Sequence, residues 1–252
     1  MEPIRSFNRY ELKFILDTKH MREVQEGLKA YLVPDKYGDK YGNYNLSSLY
    51  YDNDDFTFYW EKVEGLKFRR KIRIRHYETK KALTPKSKVF VEIKQRLDRV
   101  TQKRRVVLPY EQALQLCDER IPPKNIKDEK DQMVIDEIFG MLFQYNLKPQ
   151  CITSYQRMAL VGTELDPGLR VTFDTNLRYR RQDLDLASKK PGPYMLDPDK
   201  CVVEIKVNDR IPYWLTEFAA DTGLSLVRIS KYCTGLEKAE LVPPLTYDYP
   251  TK

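Results

Sequence analysis

The sequence predicts an α+β fold: an eight-stranded antiparallel β-barrel with helices packed on its outside. In residues 67–77 a cation stands at every second position from Lys67 to Arg75, and Ile72 and Ile74 stand between them. This period of two is typical of a strand with one charged and one apolar face. Similar alternation recurs in other strand-like segments, and amphipathic helical stretches separate them. Eight such strands favour an antiparallel sheet that closes on itself.

The predicted strands alternate polar and apolar side chains and end at turn-forming residues. In chain order they cover residues 7–16, 46–51, 67–77, 88–97, 102–108, 148–161, 169–175 and 201–207. The short connection 98–101 predicts a hairpin between the fourth and fifth strands. The polar or glycine- and proline-containing stretches 37–44, 79–86, 118–132 and 178–198 are predicted to be loops.

The predicted helices carry apolar residues at helical spacing. They cover residues 18–32, 56–63, 109–117, 133–145, 212–222 and 228–240. Asp17 or Thr18 is the expected N-cap of the first helix, and Pro34 follows its end. We predict a single domain over residues 1–252, with a core at about 7–240 and a frayed tail at 242–252.

The amino-acid composition limits the kinds of partner and the location that the protein can have. The net charge is +7 and the pI about 9.0, so an anionic partner is expected. The cysteines, Cys117, Cys151, Cys201 and Cys233, lack metal-ligand spacing and are expected to be reduced thiols. We find no signal peptide and no apolar run of the roughly 20 residues that span a bilayer. The expected location is therefore the cytoplasm, with a membrane protein as a possible partner.

The charged strand faces hold nine cations and four carboxylates, a surplus of five positive charges. If these faces look outward, the apolar faces fill the barrel interior. If they look inward, the barrel is a polar tunnel and the apolar faces pack on helices, and the predicted amphipathic helices favour this second arrangement. Burying so many cations without partners is prohibitive, and a bound polyanion removes that cost. Lysine and arginine suit phosphate oxygens, and the acids among them suit Mg²⁺ or Mn²⁺ bridging to substrate phosphates.

Nine short motifs, taken in order, resemble the VTC (vacuolar transporter chaperone) domain, a polyphosphate polymerase domain of the triphosphate tunnel metalloenzymes. They are RYELKF (9–14), SLYYD (48–52), KIRIRHY (71–77), VEIK (91–94), KRR (103–105), SYQR (154–157), GLRVTFDT (168–175), VVEIK (202–206) and RISKY (228–232). The resemblance implies an eight-stranded tunnel that binds triphosphate groups. We expect the stand-alone prokaryotic form of the family, without the sensing domain and membrane helices of the eukaryotic members.

The resemblance also implies roles for individual residues. The phosphate path would be lined by Lys13, Arg73, Arg75, Lys94, Lys103, Arg157, Arg170 and Lys231, of which Arg73, Arg75, Lys94, Arg157 and Lys231 are the predicted catalytic residues. Tyr155 is similar to a tyrosine that holds the nucleotide end. Glu204 is similar to a metal-binding glutamate, and Glu11 and Glu92 are secondary metal candidates. Ser230 is either a phosphate ligand or a helix cap.

Arg105 and Lys206 are phosphate-binding candidates on strand parity alone. The alternative for both is a salt bridge to a neighbouring glutamate in the tunnel wall. The chain has two histidines, His20 and His76, and a phosphohistidine route is disfavoured. It has no glycine-rich phosphate loop, so phosphate binding is expected from side chains.

The expected reaction is transfer of the γ-phosphoryl group of ATP to a growing polyphosphate chain, with Mn²⁺ or Mg²⁺ as cofactor. One alternative is a metal-dependent tripolyphosphatase or nucleoside triphosphatase that uses the same tunnel. An alternative of another class is a non-catalytic polyanion-binding module that acts with a membrane partner. Nucleic-acid binding is not expected, because aromatic residues are not interleaved with the cations as stacking platforms would be.

Overall fold

The structure, a computed structural model, describes residues 10–98, 100–208 and 210–242. Nine strands form one antiparallel sheet in this part of the chain: β1 (Tyr10–Asp17), β2 (Leu32–Pro34), β3 (Asn43–Asp52), β4 (Phe68–Tyr77), β5 (Lys88–Leu97), β6 (Val100–Pro109), β7 (Lys148–Gly162), β8 (Arg170–Arg180) and β9 (Lys200–Val207). The helices are α1 (Thr18–Leu28), α2 (Thr57–Val63), α3 (Tyr110–Cys117), α4 (Glu129–Gln144), α5 (Tyr213–Asp221) and α6 (Lys231–Lys238). The predicted α+β class and antiparallel pairing are confirmed.

The sheet runs in the order β1-β9-β8-β7-β3-β4-β5-β6, and β2 pairs separately with β7. The backbone ladder is open between its two edge strands, β1 and β6, in the described residues. Side chains span this gap, because Lys94 on β5 donates to both carboxylate oxygens of Glu11 on β1. The walls therefore meet around an interior without a closed backbone ladder.

The apolar strand faces point outward and are covered by helices. Ile72, Ile74 and Val91 belong to a buried cluster that includes Ile138 of α4 and Leu116 of α3. A second cluster joins β1, β8 and β9 to α1 and α5. At about 25 cal/mol per Å² of buried apolar surface, this contact stabilises the outer layer. The charged faces therefore point inward, as predicted from the helices available to cover the apolar faces.

Several predicted boundaries were wrong for identifiable reasons. The first helix ends at Leu28, because Leu32 pairs with Gly162 as a strand; this adds the ninth strand. Strand β8 continues to Arg180 beyond a break in register, and Asn176 has a φ of 52° there. The predicted loop 178–198 therefore begins as a strand. Helix α4 starts at Glu129, inside the predicted loop 118–132, with Asp128 as its N-cap.

The predicted start of the first strand, residues 7–9, and most of the predicted tail, residues 243–252, lie outside the described residues. No helix in the described ranges combines the length and apolar character that a membrane crossing needs.

Candidate functional site

The charged strand faces point into the interior of the sheet and form the lining of a tunnel. Arg73 and Arg75 on β4 and Arg157 on β7 are buried there, while Ile72 and Ile74 of β4 pack outward. The predicted site residues that take part in the interior charge network are Lys13, Arg73, Arg75, Lys94, Lys103, Tyr155, Arg157, Lys206 and Lys231, together with Glu11, Glu92 and Glu204. The structure thus brings together residues that are up to 220 positions apart in the chain.

Glu92 anchors one group of cations. Its Oε2 accepts hydrogen bonds from Nε and Nη2 of Arg73 at 2.8 and 2.7 Å. Nζ of Lys103 lies 3.4 Å from Oε1, and Nη1 of Arg75 lies 3.9 Å from Oε2. Burial raises the pKa of the Glu92 carboxyl, but Lys103, Arg73 and Arg75 outweigh burial and hold that pKa well below its usual value. Glu92 is therefore an anion that orients three cations.

Asp174 and Glu204 anchor a second group. Arg157 binds Asp174 with two hydrogen bonds, Nε to Oδ1 at 2.6 Å and Nη2 to Oδ2 at 2.7 Å. Nζ of Lys231 lies 2.6 Å from Asp174 Oδ2 and 3.0 Å from Glu204 Oε1. Nζ of Lys206 donates to Glu204 Oε2 at 2.6 Å. Despite its burial, Glu204 has a pKa held well below its usual value by these cations.

Glu11 and Lys94 form a third group at the open edge of the sheet. Nζ of Lys94 lies 2.8 Å from each carboxylate oxygen of Glu11. Burial raises the pKa of Glu11, but Lys94, Lys13 and Lys206 lower it to about 2. Lys13 links this group to the second one, since its Nζ lies 3.6 Å from Glu204 Oε1.

Tyr155 lies between the groups. Nη2 of Arg75 donates to its hydroxyl at 3.3 Å, and Nη2 of Arg157 donates at 3.5 Å. Nζ of Lys231 lies 4.8 Å from the centre of its ring. Tyr155 therefore contacts cations from β4, β7 and α6 at one place.

The remaining candidates lie at the margins of these groups. Nη2 of Arg170 lies 2.6 Å from Asp35 Oδ2 and donates to the Tyr44 hydroxyl at 2.8 Å. The guanidinium of Arg105 lies 4.5 Å from the Phe90 ring centre, and its buried Nε has no hydrogen-bond partner in the described residues. The wall salt bridge considered for Lys206 is present, whereas no such bridge is seen for Arg105 in the same ranges.

Ser230 is the N-cap of α6, so the cap alternative is confirmed. Its Oγ accepts from the backbone N–H of Cys233 at 3.5 Å and from Nζ of Lys71 at 2.9 Å. The cap sets the start of α6 and places Lys231, the next residue, against Glu204. A direct contact of Ser230 with phosphate stays a prediction.

Two interior groups have pKa values close to neutrality. Burial, opposed by Glu204, lowers the pKa of Lys206 to about 7. Burial raises the pKa of Tyr50, but Arg73 and Arg75 lower it to about 8. A bound anion would raise both pKa values, which favours the charged form of Lys206 and the neutral form of Tyr50.

Carboxylate oxygens in the tunnel interior suit a divalent cation that is held jointly with phosphate oxygens. Within the described ranges no three carboxylate, histidine or cysteine side chains are grouped as a metal cage. Mg²⁺ is commonly held by one or two carboxylates together with substrate phosphate oxygens, so a cage is not required. The hard oxygens of Glu204 fit such an ion, and the ammonium groups now on those oxygens are cations that a metal would replace.

Some site residues were missed or left unassigned by the sequence interpretation. Asp174, the carboxylate in the motif GLRVTFDT, was given no role, yet it holds both Arg157 and Lys231. Tyr50, which accepts from Arg73 Nη1 at 2.9 Å, lies in the motif SLYYD, and strand parity could have indicated it. Asp35 lies in a turn after β2, where no periodic pattern indicates which way a side chain points.

A model of the VTC domain matches residues 8–240. The chain belongs to the VTC domain family. Subunit 4 of the vacuolar transporter chaperone complex of Trypanosoma brucei brucei is 30% identical over 222 residues, and that of Trypanosoma cruzi is 29% identical over 222 residues. Each alignment covers 76% of this chain and 28% of the relative, so this VTC-domain chain spans less than a third of the curated relatives it matches.

Among solved structures, a proposed adenylate cyclase from Bacillus halodurans is similar, with a TM-score of 0.54 and 13% sequence identity. The superposition covers 90% of this VTC-domain chain and 96% of the other. At this identity the likeness shows a shared fold. The fold and the family predicted from the sequence are therefore confirmed.

Proposed function

We propose that this VTC-domain protein transfers the γ-phosphoryl group of ATP to the end of a polyphosphate chain inside the tunnel. The observation that carries the proposal is the buried lining, in which Arg75, Arg157 and Lys231 converge around the Tyr155 hydroxyl and ring. The family membership and the vacuolar transporter chaperone relatives support the same substrate class. Substrates and partners of this chain are then ATP, triphosphate and polyphosphate.

The proposed chemistry needs positioning and charge neutralisation more than a covalent nucleophile. Arg73, Arg75, Arg157, Lys94 and Lys231 would neutralise the charge that develops on the transferred group. In the free protein each of them touches a carboxylate, so these cations are pre-positioned before substrate arrives. Lys13, Lys103, Arg105, Arg170, Lys206, Tyr155 and Ser230 would bind the rest of the phosphate chain and the nucleotide.

Mn²⁺ or Mg²⁺ is the proposed cofactor. Glu204 would hold it together with phosphate oxygens of the substrate, and Glu11 and Glu92 are the secondary candidates. The ion supplies additional neutralisation of the phosphate oxygens when bound. Lys206 and Lys231 would then exchange their contacts with Glu204 for contacts with phosphate.

We propose that the protein works in the cytoplasm, beside a membrane-protein partner. The curated relatives are subunits of a complex, which supports protein partners. No nucleic acid is needed for this function.

The test is an assay of the purified protein with ATP and Mn²⁺ or Mg²⁺ that resolves polyphosphate, free phosphate and ADP. Arg75→Ala, Lys94→Ala and Glu204→Ala are run beside Arg104→Ala. Arg104 is a matched control because it also binds a carboxylate in bidentate fashion, Glu137 on α4, but on the outside of the sheet.

Long polyphosphate that disappears in the three tunnel variants and persists in the control is the expected result. Free phosphate without polymer would replace the proposal with the triphosphatase alternative. Intact ATP together with tight triphosphate binding in calorimetry would replace it with the binding module.

A further inference from the structure

Five cations form a cluster at one end of the tunnel, here called the basic mouth. They are Lys62, Arg69, Lys71, Arg96 and Arg228. Arg69 is the second residue of β4 and Arg96 is the last but one of β5, so both lie at the same end of the sheet. Both share strand parity with the tunnel-lining residues of those strands.

The strand register places like charges opposite one another at this end. Arg69 pairs with Arg96 across β4 and β5, and Lys71 pairs with Lys94 two residues further along. Like charges directly opposite in an antiparallel pair are destabilising. Electrostatic repulsion therefore destabilises this end of the sheet, which opposite charges at these positions would not do.

The basic mouth differs from the tunnel interior in its partners. Nζ of Lys71 donates to Ser230 Oγ at 2.9 Å and to Cys233 Sγ at 3.2 Å, and Nε of Arg96 donates to the backbone oxygen of Asp98 at 2.8 Å. Within the described ranges, none of the five cations forms an ion pair with a carboxylate.

Burial and the neighbouring cations together lower the pKa values of two members of the cluster. Burial lowers the pKa of Lys62 to about 8, with Lys71 and Arg69 adding to the effect. Burial also lowers the pKa of Arg69, and the charges of Arg96 and Arg228 lower it further. Glu61 opposes this at Arg69, but its Oε2 already accepts the backbone N–H of Arg70 at 2.9 Å.

The basic mouth is continuous with the tunnel. Nζ of Lys13 lies 3.6 Å from Glu204 Oε1 and donates to the backbone oxygen of Ile229 at 2.9 Å, next to Arg228. Along β4, Arg69 precedes Arg73 by four residues, about 13 Å of extended strand. A linear chain of phosphates that follows the strand can contact both.

We propose that the basic mouth is a binding site for the part of a polyphosphate chain that extends beyond the phosphates held in the tunnel. The proposal rests on the proposed function for the identity of the anion, and it assigns Arg69, Arg96 and Arg228 to chain binding. A bound chain supplies the negative charge that the mouth lacks. The site is expected to favour long chains, because Arg69 lies about 13 Å of extended strand beyond Arg73.

The experiment compares binding, without turnover, of tripolyphosphate and of long-chain polyphosphate to the full chain. The variant is Arg69→Gln/Arg96→Gln/Arg228→Gln, which keeps side-chain polarity and leaves Lys71 and its contact with Ser230 intact. The matched control is Lys124→Gln/Lys127→Gln/Lys130→Gln, which removes the same formal charge from exposed lysines around the start of α4. Circular dichroism and thermal melting show whether each variant folds.

The expected result is at least a tenfold loss of long-chain affinity in the mouth variant at low salt, with tripolyphosphate affinity changed less than twofold. The salt dependence of long-chain binding should also become shallower, since fewer charge contacts form. Equal losses for both ligands, or a loss no larger than in the control, would overturn the proposal. Because no turnover is measured, failure here is distinguishable from failure of the polymerase proposal, which the ATP assay tests.

Discussion

Asp174→Asn is expected to destabilise the protein far more than an equivalent change on its surface. Asp174 is fully buried and binds Arg157 through both carboxylate oxygens and Lys231 through Oδ2. Removing one partner of a buried ion pair costs about 3–5 kcal/mol, because the other charge stays buried without compensation. Glu204 still lies 3.0 Å from Lys231 and 3.6 Å from Arg157, so the lower end, about 3 kcal/mol, applies.

That loss corresponds to a fall in Tm of about 6–12 °C for a chain of this size, at about 2–4 °C per kcal/mol. Glu137→Gln is the matched control, because Arg104 also binds Glu137 through two nitrogens but the side chains are 26% and 32% exposed. A partly exposed pair contributes about 1 kcal/mol or less, so Tm should fall by at most about 4 °C.

The assay is thermal melting of wild type and both variants, with and without tripolyphosphate. A polyanion supplies the charge that Asp174→Asn removes, so it should raise the Tm of this variant more than that of wild type. The reasoning is refuted if Asp174→Asn and Glu137→Gln melt within 2 °C of each other, or if tripolyphosphate stabilises all three proteins equally.

Three further predictions concern titration and affinity. The free energy of unfolding should hold steady from pH 7 to about 5 and then fall towards pH 2. The pKa values of Glu11, Glu92 and Glu204 are depressed in the folded state, so these groups stabilise the fold above their ordinary pKa of 4.5, and this stability is lost as the pH falls through the folded-state values. Urea titrations across this pH range measure the change. Tripolyphosphate binding should weaken by up to tenfold per pH unit above pH 7, because Lys206, with a pKa of about 7, takes up a proton when phosphate binds. In calorimetry, Lys206→Met should remove this pH dependence. Glu11→Gln should tighten tripolyphosphate binding by about threefold to tenfold, since Lys94 no longer has a carboxylate to leave; unchanged affinity would show that the pair is not in competition with phosphate.

The parity of the strands could be predicted from the sequence, because a period of two fixes which side chains share a face. Arg73 and Arg75 therefore fall inside once Ile72 and Ile74 are assigned to the outer core. The direction of the charged face, towards the interior, could be predicted because the sequence contains helices able to cover the apolar face. The predicted strand Lys88–Leu97 begins and ends at the same residues in the structure.

Other features had no local signal. The strand Leu32–Pro34 is three residues long, and Leu32 stands one helical turn after Leu28, so spacing favoured a longer helix. The pairing of Arg170 with Asp35 joins β8 to a turn over 135 positions, and nothing periodic marks Asp35. The division of the interior cations among Glu92, Asp174, Glu204 and Glu11 depends on side-chain distances that strand parity leaves open.

The pairing of the tunnel cations with resident carboxylates makes the lumen comparable to an ion exchanger. An incoming anion has to displace several fixed counter-ions at once, and each displaced carboxylate stays tethered nearby as a competitor. A singly charged anion gains one contact and is easily expelled, whereas a chain of linked phosphates gains many at a high effective concentration. Under the proposed function, this competition within the wall would favour anions of high linear charge density over isolated small anions.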